Sequence, residues 1–428
     1  MSYSHRPGAK LRAFFNLTHS LPHRFERSRI WSPATVVAWL MVMTVPDRKM
    51  SYRRSLAYLT FYGRNLFGWE TMPTLASISN ARRKLTIDMC RDYLQELVRK
   101  CEAGMPSPKT PWGKRRFIAF DGSRMVLPRT GDTARKMGRP KKPDGSRVHN
   151  PQGLLVAAVD VFRRLPLDWT FAGKGIGERT AMGELVERLP WQAGDVAIMD
   201  RGFPSRKLFG LLKLRGIDII ARMTTSDANG WKELQPFLKS NKKNADIDIS
   251  VPGLEGTVTV RVKVVERDRQ RGRPRKGTKK ERMVIVSTLR EEDGFNRKAL
   301  LKIYEARWGI ETLFGEMKSF MQIENFHSGF VHGCEQEIVA AMIWMALASF
   351  IQTEAERTLD GRRVVRADCL RAASDLIFDL LRGRNIEIQM RRDIAMLRRF
   401  SYQPKPDRHY PRECKRPFGR TIQKGGAK

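Results

Sequence analysis

Three acidic residues stand where a carboxylate can meet a metal ion or a reacting phosphate. Asp121 follows the apolar run Phe117-Ile118-Ala119-Phe120, and Asp200 follows Val196-Ala197-Ile198-Met199. Each run reads as a short buried strand, and side chains at strand ends of an open sheet project into a crevice instead of the core. On neighbouring strands the two acids would lie side by side, where like charges repel unless a cation lies between them. Oxygen ligands with no Cys or His nearby favour Mg²⁺ or Mn²⁺ over zinc. Taken singly, Asp121-Gly122 also reads as a turn and Asp200 as a helix-capping acid.

The third acid, Glu311, lies in a stretch running from Tyr304 to Lys318. At about 100° per residue, Tyr304, Arg307, Glu311 and Lys318 fall within roughly 60° of one another on a helix. One face then presents a phenol, a guanidinium, a carboxylate and an ammonium. Gly315 shares that face and lets something bulky approach; glycines at 309 and 315 each cost about 1 kcal/mol relative to Ala. The competing reading is a salt-bridged solvent face. It does not account for the glycines, nor for cations placed on either side of one carboxylate.

The elements that must position these groups change character along the chain. Residues 1–110 read as a helical N-terminal region, with Ser32-Pro33 as a helix start and residues 74–85 as a compact unit suited to DNA. Residues 111–223 read as the first part of an α/β domain with a mixed sheet: strands at 117–120, 153–162, 167–171, 196–199 and 217–221, helices at 178–189 and 205–215. Residues 224–290 read as a β-rich insertion whose tip, 266–282, is strongly basic. Residues 291–381 read as the second part of the same α/β domain, with helical structure resuming near Arg297, and 382–428 reads as a basic tail.

Composition narrows the partners. The 428 residues carry 80 Lys plus Arg against 45 Asp plus Glu, a net charge of +35, with 41% hydrophobic residues. That surplus repels itself and calls for a polyanion, nucleic acid ahead of an anionic membrane. Five separated cysteines form no Cys-x-x-Cys pair, which excludes a zinc finger or disulfide framework and suits a reducing cytoplasm. The apolar runs 34–45 and 338–352 read as buried helices: the first lacks a cleavage site, and the second is shorter than the ~20 residues a bilayer needs. No membrane partner is expected.

The pattern Tyr304-x2-Arg307-x3-Glu311-x6-Lys318 resembles the signature of bacterial insertion-sequence transposases of the Asp-Asp-Glu class. Ala119-Phe120-Asp121-Gly122 and Met199-Asp200-Arg201-Gly202 resemble that family's first two acidic motifs. The resemblance covers roughly residues 75–325. It implies a ribonuclease-H-like catalytic domain, with Asp121, Asp200 and Glu311 as the catalytic, metal-binding triad. It further implies Tyr304, Arg307 and Lys318 as contacts to phosphates at the transposon end, and Arg201 is counted with the DNA-contacting residues. The expected reaction is DNA phosphoryl transfer with two Mg²⁺ ions, or Mn²⁺ in their place: hydrolysis at the element's ends, then joining of the 3′ ends to target DNA. The expected partners are the inverted-repeat ends, target DNA and a second copy of the chain in a paired-end dimer, in the bacterial cytoplasm at the nucleoid. A structure-specific nuclease and a catalytically idle DNA-binding regulator are the alternatives; all three acids being present argues against the second.

Two features qualify the resemblance. Some relatives carry a base-stacking Trp in the last strand of the insertion, where this chain has Arg282-Met283-Val284-Ile285-Val286, so a hairpin route is in doubt. Trp231 and Trp308 are read as packing residues. The tip sequence Arg271-Gly272-Arg273-Pro274-Arg275-Lys276 resembles an AT-hook core, with Arg271, Arg273 and Arg275 as candidate minor-groove contacts and 138–142 as a weaker copy. A solvated basic loop is the competing reading.

Overall fold

Local signals start and stop the helices that buttress the sheet. In the computed structural model, which describes residues 25, 30–108, 110–112, 115–141, 144–223, 231–267 and 281–404, helix α1 (Pro33–Met43) begins as the sequence suggests. Ser32 and Thr35 form a reciprocal capping box and Pro33 opens the first turn. Helix α2 (Tyr52–Phe67) stops at Gly68, whose φ of 65° suits the left-handed cap. Helices α3 (Leu75–Lys84) and α4 (Ile87–Gly104) are capped by Thr74 and Thr86.

The sheet follows. Its strands are β1 (Phe117–Val126), β2 (Gln152–Asp160), β3 (Leu165–Ala172), β4 (Val196–Met199), β5 (Asp218–Met223), β6 (Asn244–Ser250), β7 (Thr257–Arg267) and β8 (Glu281–Ser287). They form one eight-stranded sheet in the order β3-β2-β1-β4-β5-β8-β7-β6. Strands β1, β4 and β5 are parallel neighbours, and every other pairing is antiparallel. The strands expected within 224–290 therefore extend this sheet beyond β5 by pairing β8 against it. Short α5 (Gly131–Lys136) leads from β1 toward β2, and α8 (Gln235–Lys239) precedes β6.

Helix α6 (Glu178–Arg188) and α7 (Arg206–Leu214) connect β3 to β4 and β4 to β5. The face of Asp121, Ala157 and Trp169, set by strand register, is covered differently. There the Trp169 indole donates to Glu335 of α11 (Val331–Glu356), 2.9 Å away, and Arg91 of α4 lies over its ring at 5.0 Å. Helices α12 (Arg366–Leu381) and α13 (Ile386–Arg399) complete the described chain.

Three expectations change. The second apolar run belongs to a 26-residue helix, long and apolar enough to cross a membrane, yet 94% of its most apolar window is buried inside the structure. The basic tail expected over 382–428 begins with a packed helix, because Ile386, Met390, Ile394 and Leu397 recur at helical spacing and bury one face of α13; the loose tail expected from Pro404 lies almost wholly outside the described residues. The continuous helix expected through Tyr304 is broken. Helix α9 (Arg297–Ala306) ends and α10 (Trp308–Ser319) begins at Arg307, where Arg307 N–H bonds to Tyr304 O at 3.1 Å and Ile310 N–H to Arg307 O at 3.0 Å. These i→i−3 bonds tighten the turn at Arg307, which keeps helical backbone dihedrals.

Candidate active site

Strand pairing creates the site. Phe120 of β1 pairs with Met199 of β4 in parallel register, so Asp121 and Asp200 occupy equivalent next positions. Strand β4 stops there. Strand β1 does not end at Asp121 as the sequence suggested but runs on to Val126, held by β2, with Gly122 opposite Val156. Beyond Phe120 no strand among the described residues pairs with β1 on the β4 side, and both acids face that opening, only partly buried.

The break at Arg307 points its guanidinium into the same space. Arg307 is 4% exposed, and its terminal nitrogens lie 2.9 Å from Glu311 Oε1, 3.5 Å from Asp121 Oδ2 and 3.7 Å from Asp200 Oδ2. One cation thus touches all three carboxylates. Buried Tyr304 donates its hydroxyl to Asp200 Oδ1 at 2.7 Å. Arg307 Nε is buried with no hydrogen-bond partner among the described residues.

The two aspartates are shifted in opposite directions. Burial pushes the Asp121 carboxyl up to about 6; Arg307 and the Gly122 amide at 2.9 Å oppose this, while Glu311 and Asp200 add to it. Asp200 goes the other way: burial pushes it up, but the Tyr304 hydroxyl, Arg307 and the Arg201 amide together hold it below the ordinary range. Burial and the neighbouring Asp200 push the Tyr304 phenol up to about 12, so it stays a donor. Burial alone would lower the Arg307 pKa, but the surrounding acids raise it and keep the guanidinium charged.

Among the described residues, no group of three or more His, Cys, Asp or Glu side chains is gathered closely enough to hold a metal ion as it stands. The chemistry of the donor set still fits a hard divalent cation. It offers oxygen only, and one guanidinium offsets one of three negative charges.

The other predicted residues fall differently. Tyr304 and Arg307, expected to reach phosphates, are turned inward onto the acids. Lys318 Nζ donates to Arg124 O at 2.7 Å and lies 3.7 Å from Glu324, so it pins α10 to the extended end of β1. Arg201 is exposed beside Asp200. Gly315 has open space around its Cβ position, as its place on the helix face suggested. Trp231 is buried against Phe209, whereas Trp308 is 40% exposed and is not a core residue. Arg271, Arg273 and Arg275 lie outside the described residues. In the weaker copy, Arg139 is tied back to its own loop, its Nε donating to Val148 O at 2.8 Å.

Sequence reading missed Glu178, the first residue of α6. Its carboxylate fills the space a side chain at Gly122 would take, 2.7 Å from the Cβ position, and lies 3.6 Å from that of Gly202. Glycine after each of Asp121 and Arg201 was the available signal.

No curated protein matches the chain. Among solved structures, a piggyBac transposase synaptic complex with hairpin DNA aligns over 94% of this chain and 83% of that one, at 12% identity and a TM-score of 0.44. The family model described as a transposase DDE domain matches residues 112–347, more than half of the 428, and that span runs from just before β1 into α11. The chain belongs to the DDE-domain transposase family.

Proposed function

We propose that this transposase acts by cut-and-paste: it hydrolyses DNA at the ends of a bacterial insertion sequence and joins the freed 3′ ends to target DNA. The observation that carries the reading is the convergence of Asp121, Asp200 and Glu311 on one guanidinium at the open end of parallel strands β1 and β4. The strand order β3-β2-β1-β4-β5, with α10 bringing the third acid, supports a ribonuclease-H-like core.

Asp121, Asp200 and Glu311 would hold two Mg²⁺ ions, or Mn²⁺, which activate the attacking water or 3′-hydroxyl and stabilise the leaving oxygen. The chain's own groups position the DNA. Arg307, once the acids have another cation, is free to turn its planar fork to a phosphate oxygen, which it suits better than a point charge would. Tyr304 keeps Asp200 oriented and ionised through its hydroxyl. Lys318 and Arg201, at the rim, offset phosphate charge. Holding two ends together calls for a homodimer on paired ends, and the reducing bacterial cytoplasm is where such DNA lies.

The test is cleavage of DNA carrying the element's own ends. Asp121→Ala, Asp200→Ala and Glu311→Ala should each abolish Mg²⁺-dependent cleavage and leave end binding nearly intact, because the acids face metal and not DNA. Cleavage retained in any of the three would remove that residue from the triad.

A further inference from the structure

A second feature opens beside the acids, on the opposite face of β1. Arg124, on the face of Gly122, belongs to two adjoining cavities of about 410 and about 380 Å³. They share Arg124, Ile176 and Gly177. One reaches Gly202, two residues beyond Asp200; the other runs between the 137–147 and 173–177 loops. The walls carry six cations, Arg124, Arg139, Lys141, Arg147, Lys174 and Arg179, and one acid, Glu178.

We propose that this groove seats the phosphate backbone of DNA leading to or from the acids, a role that rests on the reading of Asp121, Asp200 and Glu311 as the cutting site. Two observations point to it. The nearby cations Arg135, Lys136 and Arg188 pair with Asp132 or Asp168, but the six groove cations have no ion pair among the described residues. Clustered like charges raise the folded state's energy unless a polyanion neutralises them. The lining of the larger cavity contains no aromatic ring, and the Cβ positions of Gly175 and Gly177 are open, which leaves phosphate contact and close backbone approach without base stacking. The occupant is therefore read by charge and not by sequence.

The experiment uses the full chain in EDTA, with fluorescent oligo(dT) as probe and a duplex of arbitrary sequence beside it, titrated over a range of salt. A variant with Arg139, Lys141, Arg147 and Lys174 all changed to Ala is compared with a charge-matched control in which exposed Arg215, Lys239, Lys242 and Lys298 become Ala. The groove variant should bind oligo(dT) at least ~10-fold more weakly, with a salt slope shallower by about 3, from roughly 0.7 per lost single-strand contact. The control slope should change by less than about 1. A version sparing Arg139, whose bond to Val148 O ties its loop, should show about three-quarters of the slope change and serves if the fourfold variant does not fold. Equal losses in groove variant and control would overturn the groove while leaving the triad untouched. Failure of the wild-type chain to bind either probe would instead overturn the DNA-cutting reading itself.

Discussion

Two buried guanidiniums, those of Arg82 and Arg307, are built to opposite ends. Arg82 of α3 is saturated. Its Nε donates to Gln336 Oε1 at 2.8 Å, one terminal nitrogen reaches Gly333 O at 2.7 Å and Glu337 Oε1 at 2.9 Å, and the other meets the Tyr52 hydroxyl. Glu337 is fully buried and also accepts from the amides of His327 and Ser328. Burial pushes its carboxyl up, but His327, Arg82 and Lys49 outweigh that and hold it below the ordinary range. Arg307 faces three acids, two of them at 3.5 Å or more, and its Nε has no partner among the described residues. A closed, satisfied network fixes structure. An open one with excess negative charge has capacity left for a ligand.

Stability should separate the two. Glu337→Gln breaks a fully buried ion pair and should cost about 3–5 kcal/mol in urea unfolding. Glu311→Gln, at a half-exposed i,i+4 pair with Arg307, should cost no more than about 0.5 kcal/mol. Equal costs would mean that the Arg307 cluster is as structural as the Arg82 cluster.

A subtler distinction lies in pH. Asp121 has a folded-state pKa of about 6 against an ordinary 3.8, so the folded chain binds its proton more tightly than the unfolded chain. The sign follows: this group lowers stability progressively as pH rises from 3.8 through 6, and the full penalty persists above. In metal-free buffer Asp121→Asn should therefore be more stable than the wild type by up to about 3 kcal/mol near pH 7, with the gain vanishing near pH 4. Paired thermal melts across that range check it. A pH-independent difference would show that Asp121 carries no excess charge.

Much of the site was legible because it rests on local sequence. Apolar runs ending in Asp gave β1 and β4, and the spacing from Tyr304 to Lys318 gave the third acid. The inward turn of Arg307 was not legible, since continuous helical periodicity hides a tight turn made by backbone bonding. Nor was the length of α11, whose first turns contain His332, Glu335 and Glu337 and look polar. Each is satisfied by a distant partner: Leu85 O, the Trp169 indole and Arg82 respectively. The basic groove is a product of topology, because two loops some 30 residues apart meet only after β2 and β3 pair.

The central claim is that Asp121, Asp200 and Glu311 together bind a divalent cation at the place Arg307 now neutralises. Mn²⁺ binding followed by electron paramagnetic resonance on the DNA-free protein tests it most directly. The account predicts saturable binding by the wild type that weakens at least ~10-fold, about 1.4 kcal/mol, in each of Asp121→Asn, Asp200→Asn and Glu311→Gln. Wild-type affinity retained in any one of these variants would contradict it.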